Sequence, residues 1–169
     1  MKLHWSQLDG LAVISSEEDR PFGFVTGVFM HPETGQIIGL LLGYSKMVVP
    51  VDIEQWNKDY IRVSGPEAFT TPLEILRIQE FGLRRTFLNN KRVLAKNGQS
   101  LGRVRDFCLD TNTSFLLSIE VSKKFLWMEW DKRTFDYSDI SAVTEKAIVL
   151  TVEPEEKEKA GKIQVPALT

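Results

Sequence analysis

Side chains capable of covalent or acid–base chemistry are few in this sequence and poorly spaced for it. A histidine base acts on a nucleophile only within hydrogen-bond reach. His4 and His31 sit in unrelated local contexts, with no nucleophile or ligand set beside either. Cys108 is the single cysteine and lies in the apolar run Phe107-Cys108-Leu109, where a small buried hydrophobe is expected. One cysteine also excludes an intramolecular disulfide and a multi-cysteine zinc site. There is no Gly-rich phosphate loop, no His-Glu-x-x-His and no Gly-x-Ser-x-Gly. Asp52 and Asp139 each open an Asp-Ile pair at matching places in two halves of the chain. A carboxylate kept twice points to a turn bond rather than to an active-site acid. The expectation is a non-enzyme with no catalytic residue, no metal ligand and no cofactor.

Two other groups of side chains suit binding. From Arg84 to Arg105 the chain carries seven cations (Arg84, Arg85, Lys91, Arg92, Lys96, Arg103 and Arg105) and no acid. Such a stretch can hold RNA phosphates or an acidic protein face, with an affinity that falls with salt. Alternation of Arg103 and Arg105 along a strand also fits a plain solvated face. The second group is Phe125-Leu126-Trp127-Met128-Glu129-Trp130. In a strand, Phe125 and Trp127 would face one way, and Leu126, Met128 and Trp130 the other. A small barrel uses one such face for its core. The other is either covered within the molecule or exposed as an aromatic anchor, making Phe125, Trp127 and Trp130 the candidate contacts for a protein partner or a second copy.

The elements that position these groups come twice. Gly23 to Leu40 aligns with Gly102 to Ile119 at a constant offset of 79 residues. Downstream, Asp52-Ile53 and Tyr60–Val63 align with Asp139-Ile140 and Ala147–Leu150 at an offset of 87. The second unit therefore contains eight extra residues, and the Trp-rich run falls in them. Short Val-, Ile-, Leu- and Phe-rich runs between turn residues predict strands throughout, the pattern of small β-barrels. Gly35 in His31-Pro32-Glu33-Thr34-Gly35 and Gly98 in Asn97-Gly98 are the hairpin signals. Ser114 stands where the first unit has Gly35, so Asn112 or a looser loop is expected to carry the positive φ there. Between the units, Thr71, Pro72 and Glu74 form a capping-box start and Gly82 a stop, predicting one helix over 71–82 that clasps the units through Leu73, Leu76 and either Ile75 or Phe81. The organisation read is 1–70 as barrel one, 71–82 as linker helix, 83–153 as barrel two, and 154–169 as a disordered tail without periodicity.

Composition bounds the rest. The 169 residues are 43% hydrophobic and 26% charged, an ordinary globular balance. The net charge of −2 divides unevenly. Residues 1–80 hold six Lys/Arg against eleven Asp/Glu, and residues 81–153 twelve against nine. The N-terminus lacks the roughly 7–15-residue apolar run of a signal peptide, and no stretch approaches the roughly 18 apolar residues of a membrane span. A cytoplasmic protein is the expectation.

The order of features within each unit resembles tandem PRC-barrel proteins, the family named after the cytoplasmic part of the photosynthetic reaction-centre H subunit. Val13 after Gly10 and Val93 after Asn90 come first, then Gly-x-Val (Gly23, Val25; Gly102, Val104). A turn, a strand (Ile37 to Leu42; Leu116 to Val121) and a closing Asp-Ile follow, with Arg105-Asp106-Phe107-Cys108-Leu109-Asp110 especially typical. The resemblance spans about residues 3–153 and implies a mainly β protein of two tandem small barrels, used for binding and not for catalysis. It implies a non-catalytic adaptor for protein partners. An RNA- or ribosome-associated factor, like RimM with its C-terminal barrel, is the alternative. A peripheral subunit of a membrane electron-transfer complex is weaker, because the membrane helix of the H subunit has no counterpart here.

Overall fold

The computed structural model describes residues 1–18 and 20–153. The first half runs β1 (Lys2–His4), α1 (Trp5–Leu8), β2 (Ala12–Ser15), β3 (Pro21–Met30), β4 (Ile37–Leu42), β5 (Lys46–Val48), β6 (Ile53–Trp56), β7 (Tyr60–Val63) and β8 (Phe69–Thr70). Two short helices follow, α2 (Leu76–Phe81) and α3 (Leu83–Thr86). The second half comprises β9 (Arg92–Leu94), β10 (Ser100–Asp110), β11 (Phe115–Phe125), β12 (Met128–Asp136), β13 (Ile140–Val143) and β14 (Ala147–Leu150). The protein is mainly β.

The strands form two curled sheets of matching order. The first is β6-β7-β2-β3-β4-β5-β8 and the second β13-β14-β9-β10-β11-β12. Each contains one parallel pair at the same place, β2 with β7 and β9 with β14, amid antiparallel neighbours. The repeat survives at the level of register. Leu40 pairs with Val48 in the first sheet, and their equivalents Ile119 and Phe135 pair in the second. Asp52 and Asp139 each end a one-turn 3-10 helix that leads into β6 or β13, as a recurring turn residue should.

The sheets join by exchanging equivalent groups. Ile37 N–H donates to Ser114 O (2.7 Å), and Leu116 N–H donates to Gly35 O (2.9 Å). Donors and acceptors are repeat-equivalents, so the contact has an approximate two-fold character. The segments entering each sheet cross over as well. β1 pairs with β10 of the second sheet, and Trp5 stacks on Phe107 at 5.6 Å. In return, Phe87 packs on Phe29 of β3 at 5.3 Å, and Leu88 N–H donates to Val28 O. Hence one apolar core takes Val13, Val25, Leu40 and Ile61 from the first sheet and Val93, Phe107, Ile119 and Ile148 from the second.

Local expectations fare unevenly. Gly35 has φ 73°, and a Cβ there would lie 2.5 Å from the Tyr137 ring, so the turn requires glycine twice over. In the second unit Ser114 itself takes the left-handed conformation (φ 57°), and neither Asn112 nor a looser loop does so. At Asn97-Gly98 only the glycine has positive φ, in a loop closed by Ala95 N–H to Gln99 O.

The single helix over 71–82 is not continuous. The capping box at Thr71 forms, with Glu74 Oε2 accepting from Thr71 N–H at 3.0 Å, but it starts one 3-10 turn over Pro72–Glu74. Ile75 is then extended (φ −86°, ψ 115°) before α2 begins. Restarting the helix rotates its apolar face. Ile78 becomes the buried residue, under Phe29, Ile38 and Met47, whereas Leu73 and Leu76 are exposed rather than clasping a barrel. The 154–169 tail lies outside the described residues.

Candidate interaction surfaces

Of the chemistry-bearing residues, His4 lies on β1, Cys108 on β10 and His31 in the turn after β3. Register sets His4 opposite Cys108, a proximity that sequence spacing hides. Burial pushes the Cys108 thiol up, the reverse of what a nucleophile needs. The contact of the His4 ring is with Asp106 (Nδ1 to Oδ2, 3.8 Å), whose Oδ2 also accepts from Ser6 Oγ at 2.9 Å. His31 rests edge-on against Phe81, its Nδ1 accepting the Glu33 N–H. Among the described residues no three His, Cys, Asp or Glu side chains come together as a metal site would require.

The basic stretch divides into structural and surface members. Lys91 is buried, and its Nζ donates to Arg84 O, Arg85 O and Thr144 O at 2.6, 2.8 and 3.1 Å. It thereby ties the free carbonyls of α3 to the β13–β14 turn. Desolvation, helped by the neighbouring Arg85 guanidinium, lowers its pKa to about 8. Arg85 Nε donates to Val143 O, and its guanidinium lies over Phe81. Neither residue faces a polyanion freely, so the run does not make one cationic strip. Arg84, Arg92 and Arg103 are exposed; Arg105 is half-buried, with Nη1 on Asn90 Oδ1 and Nε 3.7 Å from Glu129.

Where the two halves meet, a groove of about 900 Å³ opens. Its apolar side is made by Phe29, Leu41, Leu73, Leu83 and Phe87, and cations of its rim are Arg84, Arg92, Arg103 and Lys146, with Glu145 among them. Leu73 and Leu83 stand on its lip in solvent. Sequence reasoning missed this surface because its walls come from segments more than a hundred residues apart.

The eight extra residues lengthen a hairpin. In the first sheet β4 and β5 end at the pair Leu42–Lys46; the equivalent pair is Val121–Arg133, and β11 and β12 continue past it. Lys123–Trp130, Lys124–Glu129 and Phe125–Met128 are the added rungs. At about 3.3 Å per residue, four extra residues on each arm carry the tip about 13 Å beyond the first sheet's equivalent turn. Leu126 and Trp127 form the two-residue turn, which corrects their assignment to opposite faces of a strand. Leu126, Trp127, Met128 and Trp130 are 66, 83, 60 and 54% exposed, so the segment is not buried between the sheets. Bonds at the hairpin's base brace it. Asp131 takes φ 57° and accepts two 2.7 Å hydrogen bonds from Arg133, which together with Lys123 keep its carboxyl below the usual range.

Beside the hairpin lies a cup of about 430 Å³, lined by Arg92, Arg103, Arg105, Lys123, Lys124 and Trp130 and by no acid. Lys123 Nζ sits 5.4 Å from the Trp130 ring centroid and 3.5 Å from Asp131. Arg92, Arg103 and Lys124 have no ion-pair partner among the described residues.

No helix among the described residues is long and apolar enough to cross a membrane. None of the curated proteins matches the chain. The family model that matches is the PRC-barrel domain, over residues 83–165, a span that takes in α3 and every strand of the second sheet but β1. A chain whose β9–β14 sheet repeats the strand order of its first half thus carries, from residue 83 to residue 165, a PRC-barrel domain.

Proposed function

We propose that the chain is a non-catalytic adaptor built from two tandem PRC-type barrels, and that its protein partner seats in the groove between them. The tandem reading is supported by the shared strand order and by the Leu40–Val48 and Ile119–Phe135 pairs. The observation that carries the function is the groove itself. Leu73 and Leu83 are held in solvent above a floor of Phe29, Leu41 and Phe87. Apolar side chains exposed together around a concavity are an interface signature, and the cationic rim selects a partner segment with acidic flanks.

The test is affinity capture with the full chain and with Leu73→Glu and Leu83→Glu, at low and moderate salt, with and without nuclease. A protein recovered by the wild type after nuclease treatment and lost from both variants supports the adaptor reading. Equal recovery by the variants refutes the groove. The RNA or ribosome reading draws on the exposed Arg84, Arg92 and Arg103. It predicts nuclease-sensitive recovery that fails on charge reversal at Arg92 and Arg103. Diversion of Lys91 and Arg85 into the fold counts against it.

A further inference from the structure

The lengthened β11–β12 hairpin exposes more apolar surface than folding needs. Leu126 occupies left-handed backbone (φ 56°), a position that favours glycine or asparagine and disfavours a large side chain. A leucine there, 66% exposed beside an 83%-exposed Trp127, gains little burial within the chain to offset that strain. What the tip and its base share is a gradient of polarity along the hairpin axis. Leu126, Trp127 and Met128 form the apex. The Lys124–Glu129 rung comes next and then the Lys123–Trp130 rung, with Lys123 against the tryptophan ring. The acid-free cup starts at these two rungs with Lys124 and Lys123 and reaches its base at Arg92, Arg103 and Arg105 on β9 and β10. From the Phe125–Met128 rung to Ser122 is three residues, about 10 Å of strand.

We propose that this hairpin docks the protein on an anionic phospholipid surface. The apex enters the acyl boundary, Trp130 lies at headgroup depth and the cup receives lipid phosphates. The layers follow a bilayer leaflet in order and in thickness: hydrocarbon, an interfacial belt suited to tryptophan, then phosphate suited to Lys and Arg. The apex is convex, so it needs no preformed pocket. RNA would engage the cup but leave Leu126 and Met128 in water, since aliphatic side chains offer no face for base stacking. Arg105 and Lys123 are already partly balanced by Glu129 and Asp131, so Arg92, Arg103 and Lys124 carry the attraction. The inference goes beyond the adaptor reading: the groove would hold the protein partner while the hairpin holds the membrane.

Flotation of the full chain with phosphatidylcholine vesicles, with and without phosphatidylglycerol, tests it. The wild type is expected to float with the mixed vesicles and not with phosphatidylcholine alone. Vesicles containing brominated acyl chains should quench its tryptophan emission, and Trp127→Phe should remove much of that quenching. Leu126→Ser with Trp127→Ser, and separately Arg103→Glu with Lys124→Glu, should each weaken binding by roughly tenfold or more. Urea midpoints in solution should stay close to the wild-type value, because these side chains are exposed and the charge variant gives up a single hydrogen bond, from Arg103 Nη1 to Asn90 O. Leu73→Glu and Leu83→Glu should float normally, which separates this inference from the groove. No flotation with anionic vesicles overturns the proposal, as does flotation that the apex variants leave unchanged. Binding of an RNA oligonucleotide or a protein through the hairpin without vesicle binding overturns it equally.

Discussion

Replacing Lys91 with methionine removes an ammonium that donates to three carbonyls, those of Arg84, Arg85 and Thr144, from a site only 7% exposed. Two opposing effects follow, and pH separates them. Burial takes the lysine's pKa from 10.5 to about 8. A tenfold change in proton affinity corresponds to about 1.4 kcal/mol, so holding the charge in place costs about 3 kcal/mol at neutral pH. Methionine abolishes that cost but strands three carbonyls, at about 1 kcal/mol each for the lower end of such losses. Near pH 7 the two effects nearly cancel, and Lys91→Met should lie within about 1 kcal/mol of the wild type.

The sign of the pH dependence follows from proton counts. Between pH about 8 and 10.5 the unfolded chain holds the Lys91 proton and the folded chain does not, so wild-type stability rises with pH through that window. Below it the full cost persists. The variant lacks the group, and the wild type should pull ahead by about 2–3 kcal/mol as pH climbs from about 7 to about 10. Urea unfolding followed by tryptophan emission measures both proteins, and every other titrating group is common to the pair. Parallel stability curves across that range would refute the account of Lys91 as a buried, desolvated tie.

Gly102→Ala should destabilise by about 3 kcal/mol or more, because φ is 125° and the new Cβ would meet Ser122 O at 2.2 Å. Gly98→Ala, with φ 84° and open space around it, should cost only about 1 kcal/mol in the same thermal melts; equal losses would contradict the close-approach argument. Asp131→Asn keeps the left-handed backbone acceptable while deleting the charge. Since the Asp131 carboxyl is lowered by Arg133 first and Lys123 further on, its stabilisation is complete at neutral pH and fades in acid. Melts of the wild type and of the Asp131→Asn variant should therefore converge as pH falls below the carboxylate range, and a constant gap would count against the ion pair. Leu126→Gly should raise the melting temperature slightly, by up to about 1 kcal/mol in stability, since it relieves left-handed strain at an exposed side chain. A loss instead would mean that Leu126 supports the fold.

Much of the architecture is legible in the chain because it is local or repeated. The change of offset from 79 to 87 locates eight extra residues, and the structure spends them on the added rungs and turn of the β11–β12 hairpin. Turn chemistry is readable at Gly35, where backbone conformation selects the residue. It misleads at Ser114, where tertiary hydrogen bonding imposes the same φ on a poorer residue. The helix over 71–82 is half readable. Its capping box forms, yet the extended Ile75 breaks it and puts Ile78, not Leu76, against Phe29 and Met47. Local propensity over so few residues is a weak force beside the burial of one large side chain.

Other decisions belong to tertiary structure alone. That Lys91 is a buried tie while Arg92 beside it faces solvent depends on where α3 and the β13–β14 turn come together. The same holds for the crossing of β1 onto β10, the reciprocal Ile37–Ser114 and Leu116–Gly35 bonds, and the groove between the sheets. By itself the sequence determined a repeated β architecture, the location of its insertion and the residue types available for binding, since these follow from periodicity and counting. Which of those residues meet, and which stay in water, was decided only by packing the two halves together, because contacts between distant segments leave no periodic trace in either one.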